Sequence, residues 1–155
     1  MSLDTWKDEF YRVAANDRSI KTNLQAAQHS LRKWRGMTEE NMDRHGVTLS
    51  TAGNLECYDG ELWDMLAISS SSCALCHKHS LREPTPDCHY CPLRRIRNGA
   101  RCDIGTSLEK VSPWAMWSRH ASPDAMIRLL EKSVNSLTKE QQRKKTGCPV
   151  KGKVV

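Results

Sequence analysis

Cys73-Ala-Leu-Cys76, eleven further residues, then Cys88-His-Tyr-Cys91-Pro92 is the stretch on which the reading of this 155-residue chain turns. Two Cys-x-x-Cys pairs a short loop apart suit a tetrahedral ion: each pair spans one edge of the tetrahedron, and two pairs fill all four positions. The turn within each pair also aims backbone N–H groups at the thiolates. The spacing therefore predicts one structural zinc ion held by Cys73, Cys76, Cys88 and Cys91, with no position left open for a water. In a chain with only nine aromatic residues, such a staple supplies much of the local folding energy. An iron-sulfur cluster is the minor alternative, because cysteines at 73, 76, 88, 91 and 102, with a proline after the fourth, also satisfy one.

Four neighbours compete for a place in the shell. Cys102, which follows an Asn98-Gly99 turn, is the strongest substitute ligand, and His77, His79 and His89 are the others. A shell of three protein ligands and a water would bring hydrolytic chemistry back as an option. Cys73 to His77 also spells the C-x-x-C-H signature of haem attachment, which belongs to exported proteins. The polar, acidic start Met-Ser-Leu-Asp-Thr-Trp-Lys-Asp-Glu has neither the basic nor the apolar region of a secretory signal. The expected location is the cytoplasm, where thiols stay reduced and paired cysteines are read as metal ligands before disulfides. Cys57 and Cys148 lie apart from the cluster and read as a small buried hydrophobe and a tail thiol.

Upstream of the cysteines the chain reads as helical. Trp6, Phe10, Val13 and Ala14 recur at helical spacing after Ser2 and Thr5, predicting a helix near 4–16. From Ser19 the series Ile20, Leu24, Ala27, Leu31, Trp34 makes one apolar stripe, with Arg32, Lys33 and Arg35 near the negative end of the helix and Gly36 as terminator. The two are expected to pair as a hairpin. Thr38 to Arg44 reads as a short helix, Val47 to Asn54 as a loop, and Leu62, Trp63, Met65, Leu66 and Ile68 as a brief apolar helix starting near Asp59. Ser69 to Ser72 reads as a hinge.

Downstream, Ser112-Pro113 and Ser122-Pro123 each place a capping serine before a proline at the first helical position. The second of these helices carries Met126, Ile127, Leu129, Leu130, Val134 and Leu137. The expected fold class is mainly α, a helical domain with a central zinc-knuckle or ribbon-like metal site. It divides into an N-terminal helical region at 1–72, a Cys-rich module at 73–105, C-terminal helices packing on the core at 106–140, and a disordered basic tail at 141–155.

Charge is unevenly shared. Residues 1–87 carry 10 Lys/Arg against 13 Asp/Glu, whereas residues 88–155 carry 14 against 5. A basic half of this kind favours an anionic partner, nucleic acid or an acidic protein surface. Arg94, Arg95, Arg97 and Arg101 follow the second cysteine pair on a backbone that the metal would hold rigid, which suits contacts to phosphate or carboxylate. An ordinary solvated turn would look the same. Tyr90, inside the knuckle, is the aromatic best placed for base stacking. Trp34, Trp63, Trp114 and Trp117 sit at helical apolar positions and read as core. A mean hydropathy of -0.65 and the lack of an apolar run near the roughly 20 residues that span a bilayer exclude a helical membrane protein.

The run Cys73-Ala-Leu-Cys76, Cys88-His-Tyr-Cys91-Pro92-Leu93, Cys102, then Ser112-Pro113-Trp114 and a helix with Met126 and Leu130 resembles small uncharacterised zinc-binding proteins of bacteriophage genomes. That resemblance covers roughly residues 24–137, and its specific part is the cysteine-proline core. It implies a metal-binding accessory protein working in the cytoplasm of an infected host, and it transfers no catalytic residue.

No Gly-rich phosphate loop, nucleophile elbow or H-E-x-x-H helix is present to make a positive case for an enzyme. The expected function is a zinc-stabilised protein that binds a host protein or complex as a takeover or anti-defence inhibitor. The alternative is a nucleic-acid-binding regulator using Arg94 to Arg101. A small metal-dependent nuclease recruiting His77, His79, His89 or His120 is the third reading. No small-molecule substrate is evident.

Overall fold

A computed structural model describes residues 1–58, 63–79 and 88–147 of the chain. Helix α1 (Leu3–Phe10) is started by a capping box in which the Ser2 side chain accepts from the Thr5 amide and Thr5 bonds back to Ser2. It stops at Phe10, six residues earlier than the predicted end, and its buried residues are Leu3, Trp6 and Phe10. Helix α2 (Asn23–Arg35) begins at a second capping box, Thr22 with Gln25, and runs to Gly36.

Helix α2 is the centre of the molecule, packed against α1, α4 and α7. Its expected stripe is buried at Ala27, Leu31 and Trp34. A second row, Ala26, Ser30 and Lys33, is buried as well, so two faces of the helix are covered. The indole Nε1 of Trp6 donates to the Gly36 carbonyl at 2.9 Å, tying α1 to the end of α2. Gly36 is required there for space, since a Cβ would lie 2.5 Å from the Phe10 ring.

Helix α3 (Glu39–His45) ends at Gly46, whose φ of 64° is the left-handed conformation that terminates a helix without a Cβ penalty. Strands β1 (Thr48–Leu49), β2 (Asn54–Tyr58) and β3 (Trp63–Ala67) then form an antiparallel sheet in chain order. This corrects two expectations. The segment read as a loop supplies β1 and the start of β2, and the apolar run read as a helix supplies β3. Asn54-Leu55-Glu56-Cys57-Tyr58 alternates, with Leu55 and Cys57 buried and Tyr58 exposed, the period of two that a half-buried strand requires. Trp63 is the further correction: it is 71% exposed on β3, not core.

The serine joint is also fixed rather than a hinge. Ser70–Ser72 form a 3-10 turn closed by a capping box from Ser69, and Ser72 is buried. Helix α4 (Ala74–His79) follows, and a second 3-10 turn, Cys88–Tyr90, leads to α5 (Pro92–Ile96), which has proline at its first position. Helix α6 (Pro113–His120) starts as the sequence predicts, with the Ser112 side chain accepting from the Ala115 amide. Helix α7 (Asp124–Thr146) begins just after Pro123, without a side-chain cap, and packs on α2, α5 and α6. It extends to Thr146, so 141–146 are helical rather than a disordered tail. Residues 148–155, including Cys148, lie outside the described residues.

Trp34 meets Trp117 edge-on at 5.2 Å and Trp114 at 6.1 Å, which locks α2 to α6. Each such edge contact adds about 0.5–1.5 kcal/mol beyond burial. The fold is thus mainly helical with one small sheet. No helix among the described residues is long and apolar enough to cross a membrane.

Candidate metal centre

Five cysteines line one cavity of about 300 Å³: Cys73 and Cys76 from the α4 segment, Cys88 and Cys91 from the turn before α5, and Cys102 from the segment before α6. Their positions follow from local structure. Cys73 ends the serine turn and Cys76 lies one helical turn on, so both face one way. Cys88 opens a 3-10 turn and Cys91 caps α5, where the Cys91 amide donates to the Cys88 carbonyl at 3.0 Å. Cys102 is held from its own backbone, its carbonyl accepting from the Trp114 amide at 3.1 Å.

The field around the sulfurs favours the thiolate at Cys73 and the thiol at Cys76, Cys91 and Cys102. The backbone at Cys76 favours the Cys73 thiolate, and the backbone at Leu93 and Arg94 favours that of Cys91. The Cys76 thiol donates to Cys73, which holds Cys73 well below the ordinary thiol range and pushes Cys76 up. Ser30 Oγ lies 3.8 Å from Cys73 Sγ and reinforces the lowering. Burial pushes Cys91 up to about 11 and Cys102 to about 12 when no cation is present to hold the thiolate.

One cation is built into the wall. Lys33 is 1% exposed, and its Nζ donates to the Ser72 carbonyl at 2.9 Å and to Ser72 Oγ at 3.2 Å. No carboxylate pairs with it among the described residues, and burial lowers its basicity while the sulfurs of Cys73, Cys76 and Cys102 raise it. An ammonium removed from water costs several kcal/mol unless an anion stands near. A metal–thiolate centre carries that negative charge, so the cysteine-lined wall and the buried cation fit the same kind of guest.

Among the described residues no three His, Cys, Asp or Glu side chains meet closely enough, as they stand, to hold a single ion. Cys73 and Cys76 touch, while the other cysteines stand elsewhere on the cavity wall. Of the histidine substitutes, His79 lines the cavity and its Nε2 is 2.8 Å from Asn23 Oδ1. His77 Nε2 donates to the Ser71 carbonyl at 2.7 Å, outside the cavity lining, and His89 stacks edge-on with Tyr90 at 5.0 Å. Cys57 is buried in β2, away from this cavity.

The arginine segment is occupied by the protein itself. Arg97, whose side chain is only 4% exposed, binds Glu109 Oε2 through Nε and Nη2 and donates to the carbonyls of Arg101 and Ile104. Arg95 pairs with Glu140 at 2.7 Å, Arg101 pairs with Asp103, and Arg94 Nε donates to the Gly99 carbonyl at 2.7 Å. Tyr90 is 78% exposed.

Sequence reasoning placed Lys33 among the cations near the negative end of the helix and missed its burial. The signal that could have found it is the row Ala26, Ser30, Lys33, spaced as a buried face but made of small and polar residues. It also missed the apolar surface of the sheet: Tyr58 and Trp63 pair across β2 and β3 with rings 5.1 Å apart, and Met65 follows on the same face.

No protein-family model matches the chain, and no curated protein or solved structure matches it.

Proposed function

We propose that the chain is a small metal-braced accessory protein, of the phage type its cysteine-proline core resembles, and that it acts by binding a host protein. The observation that carries this reading is that five cysteines from three segments and the buried Lys33 line one cavity. Thiolates in that number leave the bound metal no open position, so the centre braces structure and does no chemistry. It joins α4, α5 and the segment before α6, three short elements that bury little apolar surface by themselves.

A protein partner is favoured over nucleic acid by how the charges and aromatics are used. Arg95 and Arg101 are paired with carboxylates, Arg97 is buried, and Arg94 is bound to the Gly99 carbonyl. Tyr58, Trp63 and Met65, by contrast, are 55%, 71% and 63% exposed on one sheet face. Aromatic and methionine side chains of this kind form the anchors of protein interfaces.

The test is capture from nuclease-treated host lysate using the full chain, Trp63→Ser, and the double variant Arg94→Ala/Arg95→Ala as baits. A stoichiometric protein retained by the parent and the arginine variant but lost by Trp63→Ser supports the reading. Capture that disappears with nuclease and with the arginine variant would replace it with the nucleic-acid alternative.

A further inference from the structure

We propose that the outward face of α7 binds the phosphate backbone of a nucleic acid, without reading its sequence, through Arg128, Lys132, Lys139 and Arg143. All four are exposed, and they follow one another along the helix at intervals of four, seven and four residues. At about 100° per residue they fall within about 60° of one another around the axis, and at about 1.5 Å per residue they span about 22 Å. The buried residues of the helix, Met126, Leu129, Leu130, Ser133 and Leu137, occupy the other side. Packing of that side on α2, α5 and α6 fixes the direction in which the row points.

The fold leaves these charges unspent. Among the described residues no carboxylate pairs with any of the four. The acids of α7 are otherwise placed: Glu131 is bound by Arg35 at 3.2 Å and Glu140 by Arg95 at 2.7 Å. Asp124 sits in the first turn, where it complements the positive end of the helix. Arg128 with Lys132, and Lys139 with Arg143, are like-charge pairs one turn apart, a placement that weakens a helix. An external polyanion removes that repulsion. In the 94–101 segment, by contrast, the guanidinium groups are taken up by carboxylates and backbone carbonyls of the protein itself.

The chemistry of the face selects the occupant. Asn135 and Gln142 lie exposed beside the row, and no exposed apolar side chain interrupts it. Arginine, lysine, asparagine and glutamine are the side chains that contact phosphate oxygens. Protein interfaces are anchored by aromatic and methionine side chains and are depleted in lysine, which describes the face of Tyr58, Trp63 and Met65 rather than α7. The nucleic-acid contact is thus on a different element from the sheet face assigned to a protein partner, goes beyond that reading and does not depend on it.

The experiment is equilibrium binding of the full chain to a short fluorescent DNA duplex and to the RNA duplex of the same sequence, over a salt series. Neutralising four phosphates predicts that log K falls against log salt with a slope of about -3.6 on DNA, or about 150-fold between about 50 and about 200 mM. Lys132→Gln/Lys139→Gln should bring the slope to about -1.8 and weaken binding several-fold at low salt. Lys132→Arg/Lys139→Arg, which keeps the charges, should bind as the parent does. Arg12→Gln/Arg18→Gln, which removes the same charge from exposed positions on other elements, should keep the parent slope. Binding of this kind to either duplex supports the proposal, and the tighter of the two names the nucleic acid. No binding to either duplex, salt-independent binding, or an equal loss in the Arg12/Arg18 variant overturns it. Tighter binding of poly-glutamate than of either duplex at the same salt also overturns it, and would give the row to an acidic protein surface. None of these results bears on capture through Trp63, so the two readings fail separately.

Discussion

Replacing Arg97 by Ala should destabilise the protein by about 3 kcal/mol or more, even though this residue sits in the most basic stretch of the chain. Two of its hydrogen bonds go from a charged donor to backbone carbonyls, those of Arg101 and Ile104. Bonds of that kind contribute roughly 1.5–3 kcal/mol each. The pair with Glu109 adds less, about 0–1 kcal/mol, because the Glu109 side chain is 56% exposed and screened by water. Removing the guanidinium strands the two carbonyls of the turn that carries Cys102. Arg97→Lys should recover only part of the loss, since an ammonium lacks the planar fork that reaches the Glu109 carboxylate and both carbonyls at once. The assay is urea unfolding followed by tryptophan fluorescence, with the metal content of each sample matched. An Arg97→Ala protein within about 1 kcal/mol of the parent, the range of ordinary surface changes, would refute the structural role and return this arginine to partner binding.

Further tests reach other parts of the molecule. Gly36→Ala should cost about 1–3 kcal/mol by thermal unfolding, because the new methyl meets the Phe10 ring at 2.5 Å in a packed joint; no loss of stability would show that the α1–α2 joint is looser than described. Hydrogen bonds from Arg44 and His45 hold the Glu9 carboxyl below its usual 4.5. A lowered folded-state value means that its contribution is present above pH 4.5 and fades as pH falls through the folded value. The stability difference between the parent and Glu9→Gln should therefore shrink as pH drops below 4.5, and a difference independent of pH would contradict the linkage. Trp63→Ser should leave unfolding within about 0.5 kcal/mol of the parent, as an exposed site does, while abolishing partner capture; a large stability loss would mean the indole is buried in solution.

The parts of this fold that were legible in the sequence are those whose signals are local. The Ser112-Pro113 start of α6 needs only a cap and a missing N–H, and the stripe Ala27, Leu31, Trp34 needs only the helical period. β3 was not legible because a short apolar run such as Trp63 to Ile68 fits helix and strand alike, and its pairing with β2 is a contact between segments. The polar face of α2 was hidden for the same reason: Ser30 and Lys33 are buried only because the cysteine segment folds against them. The arginines show the limit of composition as evidence. Four cations in eight residues predict a basic surface, yet Glu109, Asp103 and Glu140 reach three of them. The cysteines, Cys102 included, were identified from the sequence, and the structure adds that all five line one cavity beside the buried Lys33.

The central claim, that these thiolates hold a metal at the heart of the fold, is tested most directly by X-ray absorption at the edge of whichever metal copurifies with the full chain. The account predicts a shell made only of sulfur at about 2.3 Å, with a second shell of iron when the edge is that of iron. A shell of nitrogen and oxygen, or a metal lost without change in fold, would contradict it.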